Sequence, residues 1–80
     1  MSTEERVKDL MASNLQWGGS WDEIDADYPL LERRVIDSLG MMSLISLLEQ
    51  DFGIRIDDAE VVPSNFKSIR DIAALVDTKS

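Results

Sequence analysis

The sequence predicts an all-α fold: a four-helix bundle of three main helices and one short helix, with a long loop between the first and second. Two observations predict it. Apolar residues recur at helical spacing in three separate segments, and Gly or Pro interrupts the chain between them at Gly18–Gly19, Pro29, Gly53 and Pro63. The 80 residues make one domain by length, spanning 1–80, with little room for a deep pocket beside the core. With 44% apolar and 30% charged residues, the chain belongs among globular sequences rather than disordered ones.

The first helix is expected over Thr3 to Leu15, in "STEERVKDLMASNLQ". Ser2 and Thr3 offer N-caps, and Glu4 and Glu5 lie in the first turn, where the helix dipole favours acids. Val7, Leu10, Met11 and Asn14 fall at i, i+3, i+4 and i+7, and three of the four are apolar. The following "WGGSWDEIDADYPLLERRV" reads as a loop, long for so small a domain. Trp17, Trp21, Ile24, Tyr28, Leu30 and Leu31 are apolar enough to pin it to the body, with a helical turn near Leu30 to Arg33. Trp17 and Trp21 read first as anchors of this loop, with partner contact as the alternative.

A second helix is expected from Ser38 to Asp51, with Gly53 at its left-handed C-terminal cap. "IRI" is extended. "DDAEVV" predicts one turn of helix capped by Asp57 or Asp58. Pro63 then breaks the chain and "PSNFKS" turns it. The last helix starts at Ser68, where Ser68 and Asp71 resemble a capping box, and Ile69, Ile72, Ala73 and Val76 form its buried stripe.

Composition narrows the chemistry. Without cysteine there are no disulfides, thiolate nucleophiles or Cys-ligated metals, and without histidine the usual general base is missing. Carboxylates, lysines, one tyrosine and hydroxyls make a poor catalytic inventory. A net charge of −8, from 16 acidic and 8 basic residues, repels nucleic acid and anionic membrane and favours basic protein partners. No apolar run approaches membrane-spanning length and "MSTEERVKDL" has no signal-peptide core, so a monomeric, cytoplasmic protein is expected. "EIDADYPLLERR" places Glu23, Asp25 and Asp27 like calcium ligands. The sixth position of such a loop needs Gly and has Tyr28, and the twelfth needs Glu and has Arg34, so no metal site is expected.

The second helix raises a specific question. At about 100° per residue, Met41, Leu44, Ile45, Leu48 and Phe52 share one arc, the core face. Leu39 and Met42 fall outside it, in the first turn beside Ser38. Either the bundle covers them, or they form a docking patch. Ser38 also has two readings. Asp37 and Ser38 are the residue types that cap helices. A helix N-terminus is equally a ready anion site, where a phosphodiester on Ser38 would be favoured. Asp37 would then have to point aside or serve the enzyme that installs the group.

The stretch "VIDSLGMMSLISLLEQDFGIRIDDAEVVPSNFKSIRDIAALV" resembles the acyl carrier protein family, which includes peptidyl and aminoacyl carriers. Asp37-Ser38-Leu39, the helix ending "LLEQDFGI", the turn "IDDAE" and the closing "NFKSIRDIAALV" carry the resemblance, from about Leu30 to Val76. It implies that Ser38, flanked by Asp37 and Leu39, is the attachment point of 4′-phosphopantetheine, transferred from coenzyme A by a separate, magnesium-dependent phosphopantetheinyl transferase. The arm ends in the thiol this sequence lacks and carries an acyl or aminoacyl group as a thioester. The protein is then a carrier, a substrate of other enzymes rather than an enzyme itself. Its implied partners are the transferase, an acyl- or aminoacyl-loading ligase, and acyltransferase or ketosynthase-type enzymes. These read the second helix through Leu39, Met42, Ser46 and Glu49, with Asp37 and Asp51 offering further acids. Carriers of fatty acid synthesis usually have acids where this chain has Gly40 and Ser43. The resemblance therefore points to polyketide or nonribosomal peptide biosynthesis. Fatty acid synthesis, or a non-carrier helical interaction domain in which Ser38 only caps, are the alternatives.

Overall fold

A computed structural model describes residues 2–15 and 17–79. Four α-helices, α1 (Thr3–Asn14), α2 (Ser38–Phe52), α3 (Pro63–Phe66) and α4 (Ile69–Lys79), are joined by segments containing 3-10 turns at Trp21–Glu23 and Asp58–Glu60. There is no strand among the described residues. α4 lies at the centre of the packing, against both α1 and α3. The core joins Val7 and Met11 of α1, Leu44, Ile45 and Leu48 of α2, Phe66 of α3, and Ile69, Ile72, Ala73, Leu75 and Val76 of α4.

The helix ends follow local chemistry. Ser2 Oγ accepts the Glu5 N–H at 3.1 Å and starts α1. That helix stops at Asn14, one residue short of the expected Leu15, which turns to ψ 142. Asn14 faces solvent instead of the core, its amide donating to the Leu10 carbonyl at 2.8 Å. α2 runs one residue past its expected end and closes on Gly53 at φ 64, a left-handed conformation that suits glycine. Between α1 and α2, Arg6 reaches Asp51 at 3.4 Å and lies 4.3 Å over the Phe52 ring.

The segment after α2 departs from expectation at Pro63. Pro63 begins α3 rather than breaking the chain, because the first helical position needs no N–H donor and suits the fixed φ of proline. "DDAEVV" forms the one helical turn expected, of 3-10 type and capped by Asp57, whose N–H donates to Glu60 Oε1 at 2.9 Å. At the head of α4, Ser68 Oγ accepts the Asp71 N–H at 3.2 Å. Its hydroxyl donates to Asp71 Oδ2 at 2.6 Å, so the carboxylate takes the hydroxyl where a capping box would give it a backbone N–H.

The long loop is held from both sides. Leu30 N–H donates to the Lys67 carbonyl at 2.8 Å, Arg70 N–H donates to the Ala26 carbonyl at 2.9 Å, and Ile24 and Leu30 are buried. Trp17 meets Trp21 edge-on at 5.4 Å and Tyr28 at 6.3 Å between ring centroids. The Trp17 indole lies over Gly19 so closely that a Cβ there would overlap it. Both tryptophans are partly buried and also pack against the core.

One ion pair fastens the far end of α4. Lys79 Nζ lies 2.5 Å from Glu60 Oε1 and 3.9 Å from Asp57 Oδ2. The hydrogen bond from Lys79, then that from the Asp57 N–H, holds the Glu60 carboxyl below its ordinary value. The hydrogen bond to Glu60, with attraction from Glu60 and Asp57, raises Lys79. The Glu60 contribution to stability is present above the ordinary carboxylate pKa of about 4.3 and lost as pH falls through its lower folded value. The Lys79 contribution is complete below about 10.4 and lost as pH rises through its higher folded value. The difference in thermal midpoint between the parent and Glu60→Gln is therefore expected to be constant from about pH 5 to 9 and to shrink towards pH 3. Melting curves across that range check it.

Candidate functional site

The N-terminus of α2 is built from a short extended lead. Val35 and Ile36 are buried and anchor the chain in the core. Asp37 follows with φ −116 and ψ −169, which sends its side chain back over the first turn. Its Oδ1 accepts the Gly40 N–H at 2.7 Å, and its carbonyl accepts the Met41 N–H at 2.7 Å. A Cβ at Gly40 would lie 3.2 Å from Asp37 Oδ1, so glycine leaves room for this bond.

Asp37, not Ser38, is therefore the cap. Ser38 is the first residue of the helix and is exposed, and among the described residues no hydrogen bond engages its hydroxyl. The N–H groups of Ser38 and Leu39 also have no partner among the described residues, as expected for a helix's first turn. The two roles that the sequence leaves merged at "DS" fall on different side chains. Asp37→Ala is expected to cost about 1 kcal/mol of stability without removing the Ser38 hydroxyl, a loss readable in urea denaturation.

Beside Ser38 the surface is apolar. Leu39 is 81% exposed and Met42 59%, so the bundle leaves both uncovered. Ser38, Leu39, Met42, Ser46 and Glu49 fall within an arc of about 100° on α2 that borders the core face on the side of Ile45. Ser46 lies about 12 Å and Glu49 about 16 Å further along the axis. Ser46 is exposed, but Glu49 is half-buried and its Oε2 accepts the Ile56 N–H at 2.9 Å. Asp51 is partly engaged with Arg6. The first turn thus brings Ser38, Leu39 and Met42 together, while the acids further down α2 are tied into the fold.

A cleft of about 540 Å³ lies between the long loop and the start of α3 and α4, lined by Pro29, Leu31, Pro63 and Lys67 among others, and no α2 residue borders it. In the segment whose acids are spaced like calcium ligands, Asp27 pairs with Arg70 at 3.1 Å. An exposed hydroxyl with no competing bond, under free helix N–H groups, fits attachment of a phosphodiester. The "RR" at Arg33–Arg34 carried no expected role, yet it leads directly into this site.

Comparison with known proteins agrees with this geometry. The family profile "Phosphopantetheine attachment site" matches residues 5–76. The probable acyl carrier protein PigG of Serratia sp. is 33% identical over 58 residues, covering 72% of this chain and 67% of that protein. An acyl carrier protein of Nitratidesulfovibrio vulgaris is 30% identical over 79 residues, covering 99% of each. A chain in the crystal structure of an FAD-dependent dehydrogenase superposes with a TM-score of 0.76 at 31% identity, over 88% of this chain and 97% of that one. Phosphopantetheine is thus the cofactor of the family, and its members carry acyl groups rather than catalyse. No helix among the described residues is long and apolar enough to cross a membrane. A serine presented at the tip of α2, in a helical bundle matched over nearly its whole length by carriers, establishes that this chain belongs to the acyl carrier protein family.

Proposed function

We propose that the 80 residues act as one carrier domain whose Ser38 Oγ holds 4′-phosphopantetheine, installed by a phosphopantetheinyl transferase. The observation that carries this is the division of labour at α2: Asp37 does the capping and leaves the Ser38 hydroxyl unbonded and exposed. When bound, the arm supplies a thiol that holds the cargo as a thioester. The protein's own residues do the rest. The first-turn N–H groups and helix dipole favour the negative phosphodiester, and the bond from Gly40 keeps one oxygen of Asp37 occupied.

Leu39 and Met42 give partners a small apolar anchor, and Ser46 extends it along α2. Such a contact suits brief visits by loading ligases and by acyltransferase or ketosynthase-type enzymes, because so small a patch releases quickly. Uncharged Gly40 and Ser43, where carriers of fatty acid synthesis usually have acids, favour a specialised polyketide or nonribosomal peptide pathway in the cytoplasm over fatty acid synthesis. The like fold within an FAD-dependent dehydrogenase structure favours a flavin dehydrogenase among the partners. Intact mass spectrometry after incubation with coenzyme A, magnesium and a promiscuous phosphopantetheinyl transferase tests the attachment. A mass gain of one phosphopantetheine, mapped to the Ser38 peptide, is expected. An unmodified protein, or a modification elsewhere, overturns it.

A further inference from the structure

The turn that leads into α2 is closed by an unusual residue. Val35 N–H donates to the Leu30 carbonyl at 2.8 Å, and Arg34 N–H donates to the Leu31 carbonyl at 3.2 Å. This pair of bonds is the Schellman closure, and the buried Val35 and Leu30 supply its apolar contact. The closure needs a left-handed residue at its corner, the position glycine usually fills. Here Arg34 fills it at φ 57, the one non-glycine residue with positive φ among the described residues. An arginine is held in a conformation disfavoured for side-chain-bearing residues, where glycine would fit without strain.

Its charge also has no internal use. Arg33 and Arg34 are exposed, and among the described residues neither forms an ion pair, although Glu32 and Asp37 flank them in sequence. Arg6, Arg70 and Lys79 each have a carboxylate partner, while among the described residues Lys8, Arg55 and Lys67 have none either. Arg33 and Arg34 differ from these in being adjacent and in leading into α2. In a chain of net charge −8, two adjacent free guanidiniums stand beside the proposed attachment site.

An enzyme that docks on Ser38 has Arg34 within reach of an interface of ordinary size. A standard interface buries about 800 Å² per partner, a disc of about 16 Å radius. The Cα of Arg34 lies no more than about 14 Å from that of Ser38, four residues on. Covering an unpaired guanidinium with neutral surface is unfavourable, whereas a carboxylate meets its planar fork in two hydrogen bonds.

We infer that Arg33 and Arg34 form a cationic docking patch that meets carboxylates of the phosphopantetheinyl transferase on the loop side of Ser38. The inference rests on the attachment reading above. The transferase then faces a bipolar target, with arginines before Ser38 and apolar Leu39 and Met42 after it. This arrangement fixes which way round the carrier docks.

The test measures steady-state transfer from coenzyme A by the promiscuous transferase. Arg34→Glu is expected to lower kcat/KM for the carrier at least tenfold, through KM, with kcat little changed. Raising salt should reduce the parent's kcat/KM towards the mutant's value, as screening predicts. Arg55→Glu makes the same change in net charge on the segment after α2, next to Ile56, whose N–H donates to Glu49 about 16 Å along the axis from Ser38, and is expected to change kcat/KM less than twofold. Arg34→Lys should keep most of the activity. Arg34→Gly, which removes the charge but suits the left-handed corner, should weaken transfer while its thermal midpoint falls no lower than the parent's. Equal losses in Arg34→Glu and Arg55→Glu, or no loss in either, overturn the patch. A parent protein that accepts no phosphopantetheine overturns the attachment reading instead.

Discussion

Ser38→Ala is expected to abolish phosphopantetheine attachment completely while leaving stability within about 0.5 kcal/mol of the parent. The second half of this expectation comes from the structure. Had Ser38 been the cap, its loss would have cost about 1 kcal/mol, and a failed modification could have been blamed on a frayed helix. With Asp37 Oδ1 bound to the Gly40 N–H, the Ser38 hydroxyl holds nothing together. Removing it deletes one acceptor atom and little else. Intact mass spectrometry and urea denaturation on the same preparation read both quantities. A variant that is still modified places the arm on another hydroxyl. A variant that loses about 1 kcal/mol or more returns Ser38 to the capping role.

Phe66→Ala is expected to cost about 3–5 kcal/mol, the usual toll of emptying an aromatic site in a core. A chain of this length has roughly 4–12 kcal/mol in total, so the variant sits near or past its unfolding threshold at 25 °C. Phe66 is fully buried and is the only buried residue of α3, a helix of 4 residues. A segment that short has no helical stability of its own and depends on docking against α4. Circular dichroism during thermal and urea unfolding measures the loss. Phe66→Leu, which keeps an apolar filler, should retain a cooperative transition. A cost near zero for Phe66→Ala would mean that α3 is not fixed by this side chain.

Much of this was legible in the residue order, because it depends on neighbours close in sequence. Helical spacing locates α1, α2 and α4 to within a residue at most ends, and Gly53 marks the stop of α2. The core arc of α2 follows from angle alone, and it leaves Leu39 and Met42 outside. The resemblance of "VIDSLGMMSLISLLEQDFGI" to carriers pointed to Ser38 before any geometry was known.

What the order of residues left open depends on which groups meet through space. Pro63 reads equally as a breaker or as the first residue of a helix, and burial of Phe66 against α4 selects the helix. Asp37 and Ser38 are both capping types, and the extended backbone at Asp37 gives the cap to one and frees the other. Glu49 reads as a solvent-facing acid until the returning chain brings the Ile56 N–H to it. Arg34 reads as an ordinary loop residue until the Leu30–Val35 closure forces it left-handed. Local pattern determined the three longer helices and put Ser38 at the head of α2. Only the packed chain decided which side chains were already occupied and which stayed available to a partner, since a hydrogen-bonding group's freedom depends on what folding brings within about 3 Å of it.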